Sequence, residues 1–148
     1  MKPLITLTCS AFKEGETIPE KYTCIGQNLN PPLNIENIPK NTKGLSLIFE
    51  DPDAPNGVFT HWLVWNIPVS TKSISENAKP RTEGLNSNGK IGYMGPCPPS
   101  GKPHRYIFRI YALDIELKLE AGSDRDALER AMQSHIIAEG NLRGIFSR

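Results

Sequence analysis

The sequence predicts a mostly-β domain, two packed sheets with one helix near the C-terminus. Three observations carry that expectation. Thirteen prolines and twelve glycines in 148 residues favour many turns between short strands over a helical bundle. Two apolar runs, residues 45–50 and 58–67, have the length and the β-branched or aromatic content of strands. Helical spacing occurs in one stretch alone, beginning near Ser123.

The elements follow in chain order. Residues 4–8 alternate apolar residues with threonine and lack the continuous apolar core of a signal peptide, so they read as a first strand. A weaker strand lies near 33–35, between proline- and asparagine-rich loops at 28–32 and 39–44. Residues 45–50, bounded by Gly44 and Pro52, and 58–67 are the next two strands, and 105–114 is another. The polar stretch 69–92 is long for a loop inside one domain, and such loops are usually functional or mobile. Ser123 and Asp126 make a capping-box-like helix start, with Asp124 and Asp126 in the first turn. Leu128, Ala131, Met132, His135 and Ile136 then form one apolar stripe, and Gly140 and Asn141 are expected to stop it. No internal repeat or boundary divides residues 1–148, which read as a single domain.

Charge and cysteine content narrow the function classes. Seventeen Lys and Arg against sixteen Asp and Glu leave a net charge of +1, dispersed along the chain, which argues against a nucleic-acid partner. No run reaches the roughly 18–20 apolar residues of a membrane span. Cys9, Cys24 and Cys97 cannot all pair within one chain. With no export signal, all three are expected to be reduced and the protein cytoplasmic.

Strand parity selects three ionisable groups. His61 shares parity with Phe59, Leu63, Trp65 and Ile67, His104 with Tyr106, Phe108 and Ile110, and Asp51 with Leu45, Leu47 and Phe49. A charge on an apolar face needs a partner or an opening to a pocket. Each alone reads equally well as a satisfied group closing a core edge; their convergence would make a site. In Asp51-Pro52-Asp53-Ala54-Pro55 each proline holds the residue before it extended. The two carboxylates there could orient imidazoles or simply build a turn. The segment Gly92-Tyr93-Met94-Gly95-Pro96-Cys97-Pro98-Pro99-Ser100-Gly101, leading into His104-Arg105-Tyr106, could line an anion pocket or serve as a rigid connector.

Other chemistries have weaker support. Cys97 with His104 admits a nucleophilic hydrolase reading, but no triad spacing favours it. Asp51, Asp53, His61, Cys97 and His104 contain the chemistry of a metal site without CxxC or HExxH spacing. Hence no catalytic residue, metal or cofactor is expected. His135 reads as a core-edge residue, and Trp62 and Trp65 face opposite sides.

Those segments, in that order, resemble the phosphatidylethanolamine-binding protein family, in its prokaryotic, Raf-kinase-inhibitor-like branch. The resemblance also covers Ile18-Pro19, Lys21-Tyr22-Thr23-Cys24, Tyr111-Ala112-Leu113-Asp114 and His135-Ile136-Ile137-Ala138, the last expected on the helix. It implies a β-sandwich around a large sheet, with a ligand-binding pocket lined by Asp51, Asp53, His61, Gly95, Cys97, Pro98, His104 and Tyr106. It implies small anions or phosphorylated amine head groups as ligands. It also implies a non-enzymatic role modulating or inhibiting a protein kinase or serine protease, with a homodimer plausible by analogy. A protonated His61 or His104 would hold phosphate, oriented by Asp51 and Asp53, with tighter binding below about pH 6.5. A vestigial pocket on an interaction module is the remaining alternative. Ile25 and Ser134 stand where the family usually has Asp and Gly. The extra C-terminal helix of animal members, which lies beside their pocket, has no counterpart before Arg148, so the resemblance leaves membrane-lipid binding and Raf inhibition open.

Overall fold

Gly44–Asp51 (β3) is buried at all eight positions. The computed structural model, which describes residues 2–148, places it inside the larger of two antiparallel sheets. Its neighbours are Phe59–Ile67 (β4) on one side and His104–Leu113 (β6) on the other, and Ile136–Phe146 (β7) completes the order β4-β3-β6-β7. The smaller sheet joins Thr6–Thr8 (β1), Leu33–Glu36 (β2) and Ser73–Ile74 (β5). Between the sheets, Leu7, Leu33 and Ile35 pack with Leu47, Phe49, Trp62, Phe108 and Leu142. The fold is the expected β-sandwich around a large sheet.

The opposite face of that sheet is covered by the one α-helix among the described residues, Arg125–Met132 (α1), which seats Leu128 and Met132 against Ile48, Leu63 and Trp65. Its N-cap is Asp124, whose side chain accepts from the Ala127 N–H at 2.9 Å. Ser123 instead donates to the Glu120 carbonyl.

The helix is shorter than the sequence suggests. Ser134 adopts φ +70°, turning the chain so that Ile136 enters β7 rather than a third helical turn. Gly140 and Asn141 therefore lie inside a strand. Gly140 stops nothing: its Cα lies against the Ile5 carbonyl, where any Cβ would collide with backbone. His135, off the helix, pairs with Asp114 at 2.8 Å on the surface instead of closing the core.

Residues 69–92 have a structural task. Part of the stretch is β5, and residues 82–87 lie along the outer edge of β4, where Trp65, Gly84 and Ser87 donate to Thr82, Leu63 and Thr60 carbonyls. Covering an edge strand in this way blocks its pairing with other chains.

Two register shifts in β4 overturn the parity reading. Phe49 pairs with Trp62 and Glu50 with Thr60, so His61 is one residue too many, the signature of a β-bulge. Beyond it Trp62 and Val64 face the inter-sheet core, while Leu63 and Trp65 face α1. His61 thus does not share a face with Leu63 and Trp65; the two tryptophans do face opposite sides. A second bulge between Val64 and Ile67 carries Asn66 at φ +53° and returns Ile67 to the inter-sheet core.

Under the N-terminus of α1, buried Glu50 meets Arg125 at 2.6 Å and Arg109 at 3.3 Å. Arg125→Met leaves this carboxylate with its longer contact alone. A stability loss of roughly 2 kcal/mol is expected, discounted from a fully buried pair because Arg125 is part exposed. Urea unfolding measures it; a midpoint equal to wild type would show the pair to be idle.

Candidate functional site

Three strand ends and two loops converge at one end of the larger sheet. Asp51 ends β3, His61 occupies the β4 bulge, and His104 and Tyr106 begin β6. With Ala54, Pro55, Phe59, Met94, Cys97, Pro98 and Pro99 they enclose a pocket of about 110 Å³. This is below the roughly 300–1,000 Å³ that encloses a drug-sized ligand, so the pocket suits a group of a few heavy atoms.

Asp51 and His104 form a buried pair, Nδ1 to Oδ2 at 2.7 Å. The other Asp51 oxygen accepts from the Asp53 N–H at 2.8 Å. Both carboxylate oxygens are engaged, and His104 is left with Nε2 free. The pair fixes the orientation of the His104 ring.

His61 is different. Its Nδ1 lies 2.7 Å from the Met94 carbonyl, which can only accept, so Nδ1 carries the hydrogen. The His61 carbonyl in turn accepts from the Met94 N–H at 3.0 Å. Burial pushes the ring down to about 4, against the opposing pull of the Met94 carbonyl and Asp51. At neutral pH His61 is uncharged and its Nε2 is an acceptor. The expectation of a protonated His61 gripping phosphate is therefore corrected: desolvation outweighs the nearby carboxylate.

Tyr106 is fully buried, and its hydroxyl, close to the Asp51 carboxylate, has no hydrogen bond of good geometry among the described residues. Burial, with the charge of Asp51 beside it, raises its pKa well above the ordinary tyrosine value, so it remains a neutral donor. The His61 ring lies edge-on to it at 5.4 Å, and Phe49 and Phe59 pack against His61 at 5.4 and 4.7 Å. These rings supply the low-dielectric wall that keeps His61 neutral.

Two expected lining residues stand outside the pocket. Asp53 turns to Arg105, which grips it through Nε at 2.9 Å and Nη2 at 2.8 Å; these bonds hold its carboxyl down to about 2. It touches neither imidazole, though its N–H fixes Asp51. Gly95 lies on the 22–23 backbone, with no room for a Cβ against the Tyr22 carbonyl, and its N–H donates to Asn28 Oδ1. It seats the loop and does not line the cavity.

Cys97 does line it, as a disulfide. Its partner is Cys24, 73 positions away in sequence, with Cα atoms 5.4 Å apart; Cys9 is a buried free thiol. The expectation of three reduced cysteines is corrected, because folding stacks the 94–97 segment directly on 22–28. One argument for a cytoplasmic location falls with it. Cys97 has no thiol to offer as a nucleophile in this form, so the Cys97/His104 hydrolase reading loses its attacking group. Among the described residues, no three His, Cys, Asp or Glu side chains are grouped to hold a metal ion. No helix among them is long and apolar enough to cross a membrane.

Residues 8–147 match the family model described as phosphatidylethanolamine-binding protein. The chain belongs to the phosphatidylethanolamine-binding protein family. Among its relatives, a UPF0098 protein of Methanothermobacter thermautotrophicus is 42% identical over 97% of this chain and 99% of its own length. Another, from Chlamydia trachomatis, is 43% identical over 96% of this chain and 98% of its own. A crystal structure of a phosphatidylethanolamine-binding protein homologue from C. trachomatis superposes with a TM-score of 0.94 at 41% identity, covering 98% of both chains. Escherichia coli YbcL, described as a new member of the mammalian family, gives 0.91 at 27% identity over 97% of this chain and 98% of its own.

Sequence reasoning missed Ala54, Pro55, Phe59, Met94 and Pro99 as lining residues. Met94 stands in a segment already singled out, and its carbonyl fixes the tautomer of His61. Phe59 carries no signal beyond its parity with His61.

Proposed function

We propose that this family member is a non-enzymatic binding protein whose pocket takes the phosphoryl end of a small phosphorylated amine, as the singly protonated anion. One observation carries the reading: the buried Tyr106 hydroxyl has no well-formed hydrogen bond among the described residues, at a pocket whose nearest imidazole, His61, is a neutral acceptor. An unsatisfied buried hydroxyl costs about 1–3 kcal/mol, which a phosphoryl oxygen accepting from it recovers. His61 Nε2 then needs a hydrogen from the ligand, and a singly protonated phosphate supplies one. Asp51, the pocket's carboxylate, disfavours a dianion and can meet an ammonium group.

Binding is therefore tighter below about pH 6, the second phosphate pKa. The direction is that expected from a protonated His61 or His104, but in this reading the titrating group is the ligand. Sulfate, which carries no proton at these pH values, should bind poorly. A kinase or protease modulated through this end of the sandwich remains the proposed partner. A vestigial pocket is the rival.

The test is an amide-resolved titration with phosphorylethanolamine, inorganic phosphate and sulfate at about pH 5.5 and pH 8, chosen to straddle that phosphate pKa. Saturable shifts at Asp51, His61, residues 94–101 and His104, stronger at the lower pH and weakened about tenfold in Tyr106→Phe, are the expected result. Sulfate binding as tight as phosphate, or no shift with any ligand at millimolar concentration, would dismiss this reading.

A further inference from the structure

We propose that the Cys24–Cys97 disulfide is an exchangeable latch on the pocket wall, opened by a small-molecule or protein dithiol; the affinity half of this proposal rests on the binding function above. Of residues 96–99, Pro96, Pro98 and Pro99 have no N–H, so this wall segment cannot hold itself in place by a backbone ladder. Its fixed points are few. The Pro96 carbonyl accepts from the Cys24 N–H at 3.1 Å, the Pro98 carbonyl accepts from Arg148 Nε at 2.6 Å, and Cys97 is bonded to Cys24. Two of these three anchors end on the same residue, Cys24. Opening the disulfide therefore loosens the wall where Cys97, Pro98 and Pro99 face Asp51 and His104.

Both cysteines are partly exposed, so a reductant can reach the bond, whereas Cys9 is buried and stays outside the exchange. A thiolate of the dithiol attacks one sulfur, giving a mixed disulfide and releasing the other cysteine as thiolate. The second thiol of the dithiol then resolves the mixed disulfide. Two electrons pass to the protein, which takes up the two protons that the dithiol gives up, and the dithiol leaves as its own disulfide. Coupling is reciprocal: a ligand that prefers the oxidised form protects the bond from reduction by the same factor.

The experiment compares oxidised protein, protein reduced with dithiothreitol, and Cys24→Ser/Cys97→Ser without reductant. Amide hydrogen exchange is read without ligand, and phosphorylethanolamine affinity by titration at about pH 5.5, below the second phosphate pKa. Expected on reduction is exchange about tenfold faster at residues 22–26 and 94–101 by local opening, with the native amide chemical shifts of β3 and β6 kept while their exchange quickens only with the lost global stability, and affinity at least about fivefold weaker. Reoxidation restores both. Loop exchange and affinity unchanged within twofold would overturn the latch, as would loss of the native β3 and β6 amide chemical shifts, which signals unfolding. Faster loop exchange at constant affinity overturns the coupling to the pocket. Should the double variant not fold, reduced wild-type protein gives the same readouts. Absence of binding in both redox forms would count against the binding function, while loop exchange still decides whether the bond is a latch.

Discussion

Cys24→Ser, Cys97→Ser and the reduced wild-type protein are each expected to lose roughly 4 kcal/mol of unfolding free energy, the loop-entropy value for a cross-link spanning 73 residues. The three losses should agree, because the cross-link acts on the unfolded chain and disappears whichever sulfur is removed. The double variant should lose no more than either single one. Cys9→Ser breaks no cross-link and has no reason to follow them. For a chain of this size the melting temperature should drop by about 8–16 °C. Urea unfolding under oxidising and reducing conditions checks all of this, and additive losses in the double variant would mean that packing, not the cross-link, carries the effect.

Acid should destabilise the protein through His61 well before its carboxylates titrate. The folded value of about 4 lies below the unfolded histidine value of 6.5, so between those pH values the unfolded chain holds a proton that the folded one refuses. Stability from this group is fully present above pH 6.5 and falls as pH drops, with about 3 kcal/mol lost by pH 4. Asp53, held at about 2 by Arg105, gives up its contribution only below the ordinary carboxylate value near 3.8, in a separate window. His61→Asn keeps a donor toward the Met94 carbonyl and removes the titration. The difference between wild type and variant isolates His61, since His104 and His135 remain in both. Unfolding free energies measured from pH 7 to pH 4 should fall more steeply for wild type. Parallel curves would mean that His61 is not the neutral, buried ring described above.

Much of the fold is legible in the sequence, and its failures have physical causes. β3, β4 and β6 show themselves because their buried residues are large and apolar. β7 hides because its inward positions, Ala138, Gly140, Leu142, Gly144 and Phe146, include two glycines. Gly144, like Gly140, leaves no room for a Cβ, here against Ile18 and Phe12, so close packing removed the hydrophobic alternation that marks a strand. Asp51, His61 and His104 could be selected by parity, although a bulge that periodicity does not encode altered the faces of β4. The charge state of His61 was out of reach, because it depends on Phe49, Phe59 and Tyr106 arriving from three strands. The disulfide was equally hidden: with three cysteines, nothing local indicates which two the fold brings together. Gly95 and Pro98 came from family resemblance, and the structure gives Gly95 its physical reason, close approach to residue 22.

The central claim is that the pocket selects a phosphoryl group still carrying one proton, and phosphorus NMR of phosphorylethanolamine bound to the oxidised protein tests it most directly. If His61 Nε2 accepts from the ligand, the bound phosphoryl group should titrate above its free value of about 6, and affinity should weaken as pH rises past that point. A bound phosphoryl group that titrates below its free value, held as tightly at pH 8 as at lower pH, would contradict the account and require a cationic pocket instead.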